Sequence, residues 1–515
     1  MHNKLSICLL LAASVLAGCA INPVTGKTEL NLVPESTEIN IGQEQYVPSR
    51  QMQGGDYTTE PGIDAYVASV GQRLAAVSDR KLPYEFNVIN DSTPNAWALP
   101  GGKIAINRGL LTELNSEAEL AAVLGHEIVH AAARHGAKGM ERGMLLQGAV
   151  LAVGLASQNS EYAQLAVGGA NVGAGLITQK YGRDAERESD YYGMLYMARA
   201  GYDPRAAVSL QETFVRLSEG RNNDWLSGLF ASHPPSMERV EANRQTALTL
   251  GAGGEMGAER YRQKIAPLLK TKAAYAAYDE GRKALAEGKT DKALGLAEKA
   301  LAAEPKEALF HALRGDVLFK KGLYKDAVTN YDRALERNNG YFHYYLQRGL
   351  ALQQLGQRDK AVADLEYSTK LLPTAPALNA LGKTSLAQGD RTRAKQYFAA
   401  AAESDSQPGQ EAAASLVRLD LPDNPQKYLN VRLGLDRSNY LMIEVVNSTG
   451  VTVKDVDVVV LLTDTAGLRR KIPLRVPNSI GPKAASRMVT GIGPLTDAKA
   501  LRKVQAAVTG AKLVE

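Results

Sequence analysis

The spacing of apolar and polar positions changes several times along the chain, and each change marks a different element. Leu5–Val15 is predominantly apolar and too short to span a bilayer. Residues 20–60 are polar and turn-rich, with Asn22-Pro23 and Thr25-Gly26. They read as a tether leading to a helix near Glu35–Tyr46. Residues 115–136 are filled with Ala and Leu. Ser116 stands before the run with Glu119 three residues later, and Gly136 follows His135. A capping box at one end and a C-terminal glycine at the other predict one helix across that span. A second helix carries Asp184, Glu186, Glu188 and Asp190 and stops at Gly201, after which Asp203-Pro204 opens a third. Lys103–Asn107 alternates like a strand.

Further along, a fixed period takes over. Gly281, Gly315, Gly349 and Gly382 are spaced 34, 34 and 33 residues apart. Gly288, Gly322, Gly356 and Gly389 keep the same steps, as do Ala293, Ala327, Ala361 and Ala394. Ala297, Tyr331, Leu365 and Phe398 stand four positions beyond the alanines, and Pro305 and Pro373 close the first and third units. Three registers agreeing over four units resemble the tetratricopeptide repeat, a pair of antiparallel helices stacked into a solenoid whose concave side binds peptide or protein. Past residue 425 the pattern turns to β-branched alternation. Tyr440–Val446, Val453–Leu462 and Ile472–Val476 are separated by Ser448-Thr449-Gly450 and Thr465-Ala466-Gly467. Short strands at this spacing predict a small antiparallel β-sandwich with no catalytic constellation, an accessory binding or stabilising module.

Length adds that 515 residues exceed one core and imply about two to four domains. Composition is that of an ordinary soluble protein, with 45% hydrophobic and 22% charged residues. A net charge of +5, spread over the chain, gives no basis for nucleic-acid binding. The two cysteines change the picture more. Lys4, the apolar stretch and Leu16-Ala17-Gly18-Cys19 resemble a bacterial lipoprotein signal, so Cys8 is expected to be discarded and Cys19 acylated as the first mature residue. No thiol is then left for a disulfide, and two or more acyl chains anchor stably where one does not. Ala20 in place of Asp after the cysteine implies the outer membrane by the sorting rule of enteric-type bacteria.

The candidate chemistry is His126-Glu127-Ile128-Val129-His130 inside the first helix. Histidines at i and i+4 share a face about 6 Å apart along the axis, and their imidazoles can converge on one zinc ion. Glu127 stands at the edge of that face, placed to deprotonate a water whose pKa the metal has lowered. His135 lies off the face and reads as a solvated helix end. A protease site needs a third protein ligand and an open position.

Glu186-Arg187-Glu188-Ser189-Asp190 resembles the E-x-x-A-D motif of the HtpX and CAAX prenyl protease family of gluzincin-like peptidases, with Ser189 for alanine. The resemblance implies Glu186 as third zinc ligand and Asp190 as the group that orients a ligand histidine. Asn95-Ala96-Trp97-Ala98-Leu99-Pro100-Gly101-Gly102 is similar to the family's N-A-F-A-L-P-G-G, with Trp for Phe. It implies that the strand Lys103–Asn107 lies beside the cleft, where it could pair with an extended substrate. Ser232-His233-Pro234-Pro235, with Arg239 downstream, resembles the family's H-P motif. That implies His233 near the metal, as an oxyanion donor or as a cap on the zinc of the resting enzyme, of which the cap is favoured. The apolar, glycine-rich stretch Gly143 to Ile177 sits where membrane-bound relatives carry transmembrane helices. Its Met144–Ala156 part, broken by Gly148 and Gly154, is too short to span and reads as a lid, a plug or a lipid-touching surface.

The fold expected is therefore mainly α. A signal peptide (1–18) precedes a tether with an N-terminal helix (19–60) and an α+β zinc-peptidase domain (61–250). Four tetratricopeptide-like repeats (271–405) and a small antiparallel β-sandwich (425–515) follow. The function expected is that of an envelope zinc endopeptidase with one Zn2+ per chain, lipid-anchored in the periplasm. Its substrates would be unfolded or misassembled envelope proteins delivered by the repeats, with outer-membrane assembly machinery as a further partner. The rival is an assembly scaffold whose peptidase domain is mostly silent. A CAAX-type membrane protease fails for want of transmembrane helices.

Overall fold

Cys19 begins a short antiparallel hairpin, β1 (Cys19–Ile21) with β2 (Thr28–Leu30), in the computed structural model of the chain. The structure describes residues 19–144, 181–219, 229, 232–251, 253–463, 469–495 and 498–514. The signal segment, the stretch 145–177 and the turn at 465–467 lie outside the described residues. Two units, residues 1–355 and 356–515, are taken in turn.

In the first unit the expected N-terminal helix is α1 (Glu35–Met52), longer than its pattern indicated and carrying Pro48 inside. It is followed by α2 (Pro61–Ala75), whose face of Ile63, Tyr66, Val67, Val70 and Leu74 is buried. A three-stranded sheet comes next: β3 (Glu85–Ile89), β4 (Ala96–Leu99) and β5 (Lys103–Asn107), ordered β3-β5-β4. This order corrects the expectation that Lys103–Asn107 could pair with an extended substrate, because both of its sides are already paired. β5 is the central strand, parallel to β3 and antiparallel to β4, and all five of its residues are buried. A strand covered on both faces belongs between partners. The edge strands are β3 and β4.

After the short helix α3 (Arg108–Leu111) comes α4 (Glu117–Ala132), in which every residue but His126 is buried. α5 (Arg183–Arg199) packs across it, and α6 (Arg205–Glu219) and α7 (Met237–Leu250) complete this half. Residues 251–270 are no linker. α8 (Ala258–Ala286) runs for 29 residues from the peptidase half into the first repeat. Its buried Tyr261 donates to the Leu111 carbonyl at 2.6 Å, and Arg260 grips Glu117 through two nitrogens at 2.5 Å.

The repeats continue as α9 (Thr290–Ala303), α10 (Ala308–Lys320), α11 (Tyr324–Arg337) and α12 (Phe342–Gln354). Two of their sequence registers have separate physical causes. A Cβ at Gly315 would lie 2.6 Å from the Tyr331 ring, so the glycine admits the aromatic of the next helix. Gly288 and Gly322 turn the chain with φ of +77°, the left-handed region that glycine adopts without strain.

The second unit repeats both devices. Gly382 admits Phe398, and Gly389 turns at φ +83° among α13 (Arg358–Leu371), α14 (Ala375–Ala387) and α15 (Arg391–Ala401). α16 (Gln407–Asp420) then leads to β6 (Leu429–Leu435), β7 (Leu441–Asn447), β8 (Val453–Thr463), β9 (Arg469–Arg475), β10 (Ala485–Val489) and β11 (Val504–Leu513). They form two antiparallel sheets, β10-β7-β6 and β11-β8-β9. Leu441, Ile443 and Val445 of one meet Val456, Val458 and Val460 of the other in a shared core. Among the described residues no helix is long and apolar enough to cross a membrane.

Candidate active site

The site is built on α4. Ser116 Oγ accepts from the Glu119 backbone N–H at 3.1 Å, and the Glu119 carboxylate returns to the Asn115 N–H at 2.7 Å, one residue earlier than a standard capping box. The far end differs from expectation. The helix stops at Ala132, and Arg134 rather than Gly136 takes the left-handed turn, with φ +63°. Arg134 is held there by Glu38, Glu141 and the Val33 carbonyl. The turn folds His135 back beneath His130, where it is 3% exposed. His135 is therefore not a solvated helix end. Its Nδ1 lies 2.9 Å from His130 Nδ1 and its Nε2 lies 3.4 Å from Glu188.

α5 supplies the acids. Glu186, Ser189, Asp190 and Gly193 share its buried face, whereas Asp184 and Arg187 are exposed and Glu188 is half-buried. The two helices touch backbone to backbone. A Cβ on Gly193 would sit 3.1 Å from His126 N, and one on Gly125 would sit 3.1 Å from Gly193 O. That approach sets Glu186 and Asp190 under the histidines.

Four donors converge: His126, His130, Glu186 and His233, with ligand atoms all within 4.8 Å of one another. His126 Nε2 is 3.0 Å from His130 Nε2, 3.3 Å from His233 Nδ1 and 3.6 Å from Glu186 Oε2. Glu186 Oε1 is 3.4 Å from His130 Nε2 and 3.0 Å from His233 Nδ1. Donors about 2.0–2.1 Å from a tetrahedral centre are about 3.3 Å apart, so these separations fit a zinc ion.

Proton placement fits as well. The Asp190 carboxylate accepts from His126 Nδ1 at 3.0 Å, which leaves the His126 Nε2 lone pair free. Glu188, also acceptor-only, fixes the proton of neutral His135 on Nε2. His135 Nδ1 then accepts from His130 Nδ1–H, and His130 Nε2 is left bare. Two lone pairs facing each other at 3.0 Å call for a cation between them.

Residues 61–247 match peptidase family M48, and residues 278–342, 342–373 and 375–408 match the tetratricopeptide repeat. The metalloprotease YcaL of Escherichia coli is 32% identical over 181 residues, 33% of this chain and 67% of that protein. The chain belongs to peptidase family M48. The putative beta-barrel assembly-enhancing protease of Vibrio cholerae is 31% identical over 252 residues, 47% of this chain and 51% of its own. The mitochondrial metalloendopeptidase OMA1 of Schizosaccharomyces pombe is 39% identical over 178 residues, 34% of this chain and 50% of its own. The chain thus spans about half the length of these last two relatives.

Electrostatics separate the acids of this M48 site. Burial raises the pKa of Glu127, whose Oε2 has no hydrogen-bond partner among the described residues. Burial opposes ionisation of Glu186 too, yet His233, His130 and His126 hold its pKa far below the carboxylate range. Burial depresses His130 well below the usual histidine value and so keeps it neutral, as a ligand must be. Burial would depress His233 as well, but the Glu186 and Glu127 carboxylates raise it.

Two contributors had no assigned role in the sequence. Arg239 binds Asp190 through Nε and Nη2 at 2.7 Å each, Glu186 Oε2 at 2.9 Å and the Pro234 carbonyl at 3.1 Å. It ties both acids to the His233 loop. Tyr181 stacks on His130 with ring centroids 4.0 Å apart, and no local pattern marks it. The glycine contact makes its own forecast. Gly193→Val should push α5 off α4 and cost about 10–100-fold in zinc affinity, the scale of losing support behind a ligand. Zinc titration giving wild-type affinity would contradict the close-approach argument.

Proposed function

We propose that the protein is a zinc endopeptidase of the bacterial envelope, with His126, His130 and Glu186 as ligands, Glu127 as general base and His233 as a cap on the resting site. The observation that carries the reading is the convergence of four donors, three of them buried and His126 12% exposed, with Glu127 beside them. Zinc bound there supplies Lewis acidity, activating water and polarising a peptide carbonyl. Glu127 takes the proton of the attacking water on its carboxylate and returns it to the leaving amine, a cycle favoured by a pKa that burial has raised. Asp190 holds the His126 ring in its ligating tautomer and Arg239 holds Asp190. The cap is supported by His233 Nδ1 standing among the ligand atoms with Nε2 3.7 Å from Glu127 Oε1.

The tetratricopeptide array would bring unfolded or misassembled envelope proteins to the cleft. Beta-barrel assembly-enhancing proteases among the relatives lend support to that substrate class. Purified protein should cleave unfolded casein, and chelation should stop it; casein left intact by zinc-replete protein would overturn the reading. His233→Ala, matched for zinc, should raise basal cleavage. A fall of about 10²–10³ in kcat would instead make His233 an oxyanion donor. That position of His233 also favours the scaffold reading, for which neither protein would cleave.

Lipid anchoring through Cys19 is part of the proposal. Cys19→Ala should abolish acyl labelling and release the protein from membranes. A variant that still fractionates as an integral membrane protein would shift the anchor to residues 143–177.

A further inference from the structure

The net charge is not spread over the chain as its size suggested. Residues 425–515 hold fourteen Lys and Arg against seven Asp and Glu, a net +7, whereas the whole chain is +5 and the rest of it therefore −2. Several cations of the sandwich are matched. Arg475 pairs with Asp457, Lys512 with Asp455, and Arg432 and Arg487 with Glu444. Arg469, Arg470 and Lys471 of β9, together with Arg502 and Lys503, are exposed and make no ion pair among the described residues.

These five stand at one end of the sheet β11-β8-β9. Leu462 of β8 pairs with Arg470 on one side and with Val504 on the other, and Arg502 and Lys503 lead directly into Val504. Neighbouring strands lie about 4.8 Å apart, so the two groups of cations have their backbones about 10 Å from each other across β8. Alternation settles what lies beside them. Val456, Val458 and Val460 fill the core, so Val459, Leu461 and Thr463 face outward. Their partners face outward with them: Pro473, Lys471 and Arg469 on β9, and Ala507 and Gln505 on β11. Pro473 and Ala507 are exposed, and Val459 and Leu461 are half-buried. The outer face is thus a strip of small apolar side chains that ends in a cluster of cations.

That arrangement is complementary to an anionic bilayer. Lys and Arg meet the lipid phosphates while apolar side chains enter the boundary between headgroups and acyl chains. Other acidic partners fit less well. A peptide adding a strand to the open edge would need the backbone of β9, where Pro473 has no N–H and the row of cations blunts pairing. A single nucleic-acid strand stacks its bases on aromatic rings, and none of these outward residues is aromatic.

We infer that the outer face of β11-β8-β9 is a docking surface for an anionic phospholipid bilayer, with Arg469, Arg470, Lys471, Arg502 and Lys503 binding the headgroups. The inference is independent of the peptidase reading and of the Cys19 anchor, and its test removes that anchor. The mature chain, residues 19–515 carrying Cys19→Ala, is sedimented with vesicles of phosphatidylglycerol and phosphatidylcholine and with vesicles of phosphatidylcholine alone. It should bind the first and not the second. Binding should weaken steeply between about 0.1 M and about 1 M NaCl, over which the screening length falls from about 10 Å to about 3 Å. Each Lys or Arg beside an anionic bilayer is worth about fivefold in affinity, so Arg469→Gln/Arg470→Gln/Lys471→Gln should weaken binding about 100-fold. Removing the same charge at Lys283, Lys306 and Lys360, three exposed lysines of the repeats, should cost far less. Leu461→Ser alters no charge and should weaken binding to the vesicles without changing any binding to polyglutamate. The docking surface is overturned if the chain ignores phosphatidylglycerol vesicles, if the two triple variants lose binding equally, if Leu461→Ser binds the vesicles as the parent does, or if polyglutamate binds as tightly as the vesicles.

Discussion

Glu127→Gln is expected to keep its metal and lose about 10²–10⁴-fold in casein cleavage, the usual share of a positioned general base. Glu127 lies next to His126 in sequence yet outside the ligand set, so the substitution removes proton transfer and leaves every donor in place. The isosteric amide also suits the site, because the carboxylate is buried and its Oε2 has no partner to lose. Comparing zinc content with cleavage rate in the two proteins checks both halves. Equal rates would remove Glu127 from the mechanism, and loss of zinc would make it a ligand.

Arg239→Met is expected to destabilise the folded protein by about 3–5 kcal/mol, because it leaves the buried Asp190 carboxylate without its counter-charge. Asp190 binds this guanidinium through two nitrogens, Glu186 touches it as well, and all three side chains are at most 8% exposed. Urea unfolding at matched zinc measures the loss, and Asp190→Asn in the same chain should recover part of it by removing the stranded charge. A loss below about 1 kcal/mol would put the pair in the class of exposed ion pairs and contradict its burial. The same variant should bind zinc more weakly, since Asp190 orients His126 only while Arg239 fixes Asp190.

What the residues alone made legible was whatever repeats locally or lies within one helix; Glu186, Asp190 and His233 were reached through the family resemblance. The 34-residue period was legible because the units share a left-handed turn at Gly288, Gly322, Gly356 and Gly389, and because Gly281, Gly315 and Gly382 lack a side chain where another helix packs close, on Leu313, Tyr331 and Phe398. His126, Glu127 and His130 were legible because one turn of helix brings them together. The long alternation of β8 stood out, but β6, β10 and β11 did not. β11 carries Ala506, Ala507, Gly510 and Ala511 with two register shifts, which blunts any strand signal.

Long-range partners were hidden. His135 read as solvent-facing because an ideal helix would carry it off the ligand face. The chain leaves that helix at Arg134 instead, and a carboxylate 53 residues away receives the turned ring. Arg239 sat in a recognised motif without a role, because its partner Asp190 is 49 residues distant. β5 was expected to be open to pairing with substrate because apolar content marks a buried strand without saying which neighbours it has.

The central claim is that His126, His130 and Glu186 hold one zinc ion. The most direct test is the zinc content of purified full-length protein, wild type beside Glu186→Gln. The account predicts one zinc per chain in the wild type and a large loss in the variant. A wild type that binds no zinc, or a variant that retains it fully, would contradict the claim.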